Sequence, residues 1–119
     1  MKKDSVYIEQ ILEASGKIRK FTEGYSRESF FKDQKTQSAV IMQLALIGEL
    51  AKKISETAKS AVNLPWKDIA GFRDRAIHDY YQVDLNVVWD TTITDLPELE
   101  SRLKIKVPRS RADEVLNLS

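Results

Sequence analysis

No cysteine occurs among the 119 residues, which removes disulfide frameworks, thiol nucleophiles and cysteine-held metals. Histidine occurs once, at position 78, and with carboxylates only scattered along the chain no dedicated zinc site is expected. An excess of one charge is lacking too. Lys plus Arg number 19 against 18 Asp plus Glu, so no global field drives the molecule onto nucleic acid or an anionic membrane, and any RNA contact must be local. The apolar runs fall well short of the roughly 20 residues of a membrane span, and the opening MKKDSVYIEQ has no apolar signal-peptide core. These absences predict a cytoplasmic protein with no membrane contact, no metal and no cofactor. Its length suits one domain with a modest core.

Strand-like alternation and internal repeats are also missing, while apolar residues recur at helical spacing nearly everywhere, which predicts an all-α domain over residues 1–105. Asp4 is placed to cap a first helix that buries Tyr7, Ile8, Ile11, Leu12, Ile18 and Phe21 and ends at Gly24. A short helical turn from Ser26 to Phe31 leads into the longest element, Asp33 to Ala61, with the core stripe Val40, Leu44, Ile47, Ala51, Ile54, Ala58 and Ala61. Asn63, Leu64 and Pro65 break the chain before a helix from Trp66 to Asp79, whose buried face is Trp66, Ile69, Ala70, Ala76 and Ile77. Asp84 caps a fourth helix burying Leu85, Val88, Trp89, Thr92 and Ile93; Asp95, Pro97 and Glu98 then start a separate final helix with Leu99 and Leu103 inward. The remainder, 106–119, is a basic tail in which Lys106, Arg109 and Arg111 follow Lys104, either touching RNA phosphate or simply solvated.

The long helix carries more than its stripe. Ile41, Met42, Ala45, Leu46 and Leu50 lie off it, so the segment Ala39 to Ala51 is apolar almost all round and needs several covering partners. In a chain this short the extra face reads as a dimer surface; the alternative is a central helix covered within its own bundle. Gly48 allows close helix approach, and Glu49, in apolar company, either finds a partner or faces solvent.

Groups suited to chemistry concentrate in Phe72-Arg73-Asp74-Arg75-Ala76-Ile77-His78-Asp79-Tyr80. A cation, an imidazole able to carry a proton near neutral pH and a phenol at one helix end form a usable set for work on phosphate esters. A lone histidine at a helix C-terminus is also a favourable dipole partner with no further role. Arg73 falls inside the apolar stripe, where a charge must snorkel, pair or reach into a cleft. Asp74, four residues before His78, lies on its side of a continuous helix and can orient the ring. Arg73 and His78, five apart, point away from each other, so they converge only if the helix ends near His78 or if the site is completed elsewhere.

Arg73, four intervening residues, His78, one residue and Tyr80 reproduce the pattern R-x(4–6)-H-x-Y, and with it the chain resembles the HEPN ribonucleases, in particular the HepT toxin branch. The resemblance runs from the Tyr7 to Leu12 helix through IGELAKKIS, the Leu64-Pro65-Trp66 break and Val83-Asp84-Leu85 to Asp95-Leu96-Pro97-Glu98-Leu99. It implies a homodimeric HEPN-type bundle of four to five helices and a metal-independent RNA endonuclease with Arg73, His78 and Asp74 as catalytic residues. It further implies a type II toxin–antitoxin system in which an MNT-type nucleotidyltransferase antitoxin AMPylates Tyr80.

Attack of a ribose 2′-hydroxyl on the adjacent phosphate needs a base, an acid for the leaving 5′-oxygen and positive charge on the phosphorane. One chain offers a single histidine. Twofold pairing of the motif ends would supply two copies of His78 as base and acid and two of Arg73 as the phosphate grip, with Asp74 orienting His78 and Tyr80 at the rim. Two other classes of function fit the residues alone. One is a non-catalytic helical partner that positions substrate for a minimal nucleotidyltransferase; the other is a structural dimer whose histidine only caps a helix.

Overall fold

The computed structural model describes residues 3–106, and every regular element among them is helical. In chain order they are α1 (Asp4–Thr22), α2 (Arg27–Phe31), α3 (Gln34–Lys53), α4 (Glu56–Ala61), α5 (Trp66–His78), α6 (Leu85–Asp90) and α7 (Leu96–Lys106). A 3₁₀ turn at Tyr80–Gln82 follows α5, and a π turn at Thr91–Asp95 joins α6 to α7 without a break. The result is a bundle of four long helices, the fourth spanning 85–106, with two short ones between them. Arg109 and Arg111 of the basic tail lie outside the described residues. Among the described residues no helix is long and apolar enough to cross a membrane.

α3 is central because it is apolar on several sides: α1 and α5 both pack along it, and α7 lies against α1. The core joins Ile11 and Ile18 of α1, Phe30 of α2, Val40, Leu44 and Ile47 of α3, and Val88 and Leu103 of the last helix. Each such side chain contributes about 1.5–3 kcal/mol on burial. Of the residues off the α3 stripe, Ile41, Ala45 and Leu50 are buried within the chain, whereas Met42 and Leu46 stay 61% and 42% exposed.

Local signals set most helix ends. Gly24 takes φ +79 just past α1, a left-handed conformation that side chains resist. Ser26 caps α2 through the Ser29 N–H. Asp33 caps α3, accepting the Thr36 N–H at 3.1 Å, and also accepts the hydroxyls of Tyr25 and Thr36. These bonds, the Tyr25 hydroxyl first, lower the Asp33 carboxyl from 3.8 to about 2. The folded value is the lower one, so the stabilisation is complete above the ordinary carboxylate pKa and fades as pH falls toward the folded value. Asp33→Ala should therefore melt below the parent at neutral pH. The gap should narrow between about pH 4 and pH 2 in thermal melts followed by circular dichroism, and a gap constant over that window would contradict the assignment.

Four expectations need correcting. Asp4 does not cap α1, where Lys3 holds the N-cap position; its carboxylate instead accepts the Ser55 N–H at 2.9 Å and the Ser55 hydroxyl at 2.6 Å. Ser55 in turn accepts the Ala58 N–H at 3.2 Å, so a side-chain cap competes with helix continuation and splits the predicted Asp33 to Ala61 helix at Ile54, whose ψ is 139. Ala61 is exposed and Val62 buried as a consequence. The separate last helix is absent, because Leu96 donates its N–H to the Thr91 carbonyl and the chain stays helical through the π turn. Pro97 follows directly, and a widened turn accommodates both its missing N–H and its ring. Phe21, Ile77 and Ile93, predicted inside, are 38%, 54% and 53% exposed.

A buried charge was not anticipated at all. Glu100, on the α7 side facing α1, is 6% exposed. It accepts Ser15 Oγ at 2.7 Å and Arg19 Nε at 2.9 Å and pairs with Arg19 Nη2 at 2.9 Å, bonds that make its burial tolerable.

Candidate active site

α5 is pinned at three points. At its start, Trp66 Nε1 donates to the carbonyls of Lys59 and Val62 at 3.1 and 3.0 Å. At its middle it meets Gly48 of α3 so closely that a Cβ at position 48 would lie 2.7 Å from both Arg73 Cβ and the Ile69 carbonyl oxygen. The close approach that Gly48 was expected to allow is thus made at the root of Arg73. At its end, the helix stops at His78, where Asp79 turns to φ −146 and ψ 45 with its N–H still bonded to the Arg75 carbonyl.

Arg73 is not stranded in the apolar stripe. Its side chain is 31% exposed, its Nε donates to Glu49 Oε2 at 2.8 Å, and its Nη1 reaches Asp74 Oδ1 at 3.2 Å. The open question about Glu49 is answered by the same bond. Lys52 Nζ reaches Asp74 Oδ1 at 2.6 Å, and Lys52 first, then Arg73, hold the Asp74 carboxyl below the ordinary carboxylate range.

Asp74 is therefore directed to Lys52 and Arg73, and within this chain it does not orient His78. Spacing of four permits that contact, but a cation across on α3 is the stronger partner for a carboxylate. His78 is exposed on the last turn of α5, and none of the described residues hydrogen-bonds its ring. Tyr80, on the 3₁₀ turn, is 42% exposed; its hydroxyl lies 3.2 Å from Ser38 Oγ and its ring stands edge-on to Tyr81 at 5.7 Å.

Two rows of side chains organise this surface. Ser38, Met42, Leu46 and Glu49 follow one another at helical spacing on α3, and Arg73, Ile77 and Tyr80 do so on α5 and the turn beyond it. The rows are joined at one end by Glu49 with Arg73 and at the other by Ser38 with Tyr80. The apolar members between those ends, Met42, Leu46 and Ile77, are 61%, 42% and 54% exposed, and neighbouring Tyr81 is 95% exposed. An uncovered apolar strip thus lies along Arg73 and leads toward His78.

The structure brings Arg73, Asp74 and Tyr80 against α3, while no hydrogen bond or ion pair among the described residues links His78 to Arg73. Lys52 and Ser38 escaped sequence reasoning, since nothing in one-dimensional spacing distinguishes them from other surface positions on α3. Among the described residues no group of His, Asp and Glu is arranged to hold a metal ion. A cavity of about 320 Å³ opens between α5 and the 85–106 helix, lined by Ile69, Phe72, Leu96 and Leu99, but none of Arg73, Asp74, His78 and Tyr80 borders it.

The comparisons follow this geometry. A family model described as "Ribonuclease HepT-like" matches residues 11–105. A protein of Thermococcus cleftensis named "Probable ribonuclease HepT" is 40% identical over 99 residues, covering 82% of this chain and 90% of that protein. One from Caldanaerobacter subterraneus subsp. tengcongensis, named as a candidate RNase, is 36% identical over 105 residues, covering 87% of this chain and 94% of its own. A Methanocaldococcus jannaschii protein, also named as a candidate RNase, is 37% identical over 109 residues, covering 87% and 90%. No solved structure matches the chain.

Proposed function

We propose, given that the chain belongs to the HepT-like ribonuclease family, that it is the toxin of a type II toxin–antitoxin pair. In this reading it is a metal-independent RNA endonuclease, its active site is completed by a second copy, and AMP transfer to Tyr80 silences it. The observation that carries the reading is the position of His78, exposed and without a partner at the end of α5, beside the open strip of Met42, Leu46 and Ile77. A single chain has one imidazole and the reaction uses two proton transfers. Pairing the strips of two copies buries apolar surface and brings two α5 ends together.

In the paired site one His78 takes the 2′-hydroxyl proton as that oxygen attacks phosphorus, and the other protonates the departing 5′-oxygen, leaving a 2′,3′-cyclic phosphate and a 5′-hydroxyl. Arg73 supplies charge to the non-bridging oxygens. Control follows from Tyr80: its phenolic oxygen takes the α-phosphoryl group of ATP, pyrophosphate leaves, and the attached nucleotide places negative charge and bulk where RNA phosphate must enter. Incubation of the purified protein with RNA in EDTA should yield cyclic-phosphate ends, and light scattering should return twice the chain mass. A monomer at micromolar concentration would reject the composite site, and absence of cleavage by an unmodified dimer would reject the enzyme. With its nucleotidyltransferase and Mg-ATP, AMP should map to the Tyr80 peptide; a neutralised protein with Tyr80 unmodified would leave steric blocking as the mode of control.

A further inference from the structure

We infer that Glu49 is a positioning residue: it holds the Nε edge of Arg73 so that the opposite edge of the guanidinium faces an incoming RNA phosphate. The inference rests on the ribonuclease reading above and adds to it a residue outside the R-x(4–6)-H-x-Y pattern.

The donor inventory leads to it. A guanidinium carries five N–H donors in one plane. The Nε donor goes to Glu49 Oε2 at 2.8 Å, and one Nη1 donor goes to Asp74 Oδ1 at 3.2 Å. The second Nη1 hydrogen and both on Nη2 are given to no acceptor among the described residues. Those unused donors sit at the Nη1–Nη2 end, the fork that fits two oxygens of one phosphate. The carboxylates occupy the inner part of the guanidinium and leave its outer part for substrate.

Both ends of the side chain are held. Its root is set by the contact of Arg73 Cβ with Gly48, and its head by the carboxylate of the very next residue, Glu49. An arginine loses much rotamer freedom when it grips a ligand, and holding it beforehand removes that cost from binding. The local charges cancel, Arg73 and Lys52 against Glu49 and Asp74, so the cluster offers directed hydrogen bonds more than a positive field. An ammonium at position 73 would keep the charge and lose both the Nε anchor and the fork.

The test uses the full chain and a 2′-O-methyl RNA oligonucleotide, which binds but has no free hydroxyl to attack, read by fluorescence anisotropy. Glu49→Ala should weaken binding about tenfold, and Arg73→Ala at least as much. The double variant should bind no more weakly than Arg73→Ala alone, because Glu49 acts only through Arg73. Glu49→Gln, which keeps an acceptor oxygen, should stay within about threefold of the parent, and Arg73→Lys should resemble Arg73→Ala. Parental affinity in Glu49→Ala beside a weak Arg73→Ala would overturn the inference, as would losses that multiply in the double variant. If Glu49→Ala does not fold, Glu49→Asp decides: it keeps the charge but withdraws the carboxylate by one methylene, so weakened binding supports the role and parental binding refutes it. Failure of the ribonuclease reading looks different, with a parent that does not cleave RNA and an Arg73→Ala variant that binds as the parent does.

Discussion

His78→Ala is expected to abolish RNA cleavage and leave the fold unchanged. The imidazole is exposed, and no described residue bonds to it, so its removal leaves no buried group unsatisfied. The stability change should stay within about 0.5 kcal/mol, as for a surface substitution away from special features. In the reaction the consequence is large, since each proton transfer by a positioned side chain contributes about 10²- to 10⁴-fold. A paired site built from two variant chains loses acid and base together. Arg73→Ala should be comparably inactive through loss of the phosphate grip, an effect of about 10²- to 10³-fold for one electrostatic donor. It should cost little stability, because its bond to Glu49 joins two partly exposed groups. Asp74→Ala should lose less, since Asp74 touches Lys52 and Arg73 and not the imidazole. Initial rates on labelled RNA in EDTA, with melts of each variant, check all three. A His78→Ala protein that cuts at the parental rate would move the active site elsewhere.

Gly48→Ala should both destabilise the bundle and impair cleavage, although two effects oppose each other. Alanine in a helix interior is favoured over glycine by about 1 kcal/mol. Against this, the new methyl would lie 2.7 Å from Arg73 Cβ and from the Ile69 carbonyl oxygen. Neither neighbour is the loose end of a flexible side chain, so α5 as a whole must move away, and overpacking of this kind costs about 1–3 kcal/mol. The steric term should win, lowering the melting temperature by several degrees for a domain of this size. Displacement of α5 also carries Arg73 away from Glu49. Cleavage per folded molecule should then fall together with the melting temperature, whereas an unchanged or raised melting temperature would show that α5 yields without strain.

Much of this architecture could be read from the chain because helix ends are local events. Gly24, Ser26, Asp33, the Leu64-Pro65-Trp66 break and Asp84 all mark ends that the structure also has. The α3 stripe from Val40 to Ile54 follows helical spacing and is buried. What failed to show in one dimension depends on partners distant in sequence. Ser55 looked like an interior residue until Asp4, 51 positions away, was found on its N–H. Glu100 looked like a solvent-facing charge because Ser15 and Arg19 lie 85 and 81 positions away. At the candidate site the motif residues could be named and Glu49 flagged, but the choice of Asp74 between Lys52 and His78 is decided by how α3 and α5 lie together, which spacing along α5 alone does not contain.

The π turn at Thr91–Asp95 acts as a phase shifter in the last helix. Such a turn holds one residue more than an α turn, so it retards every side chain after it by about one residue's rotation, about 100°. Val88 and Trp89 before it and Leu96, Leu99 and Leu103 after it consequently share the core. A π turn is what a single inserted codon leaves when a helix absorbs it without changing either flank. Deleting one residue between Thr91 and Asp95 should then be read through as uninterrupted α-helix, with Glu100 rotated off Ser15 and Arg19 and its neighbour brought toward that place. For anyone grafting or shortening this domain, the length of that one turn is a setting of the whole α7 face, and sequence alignments that slide a gap across it will misplace every residue that follows.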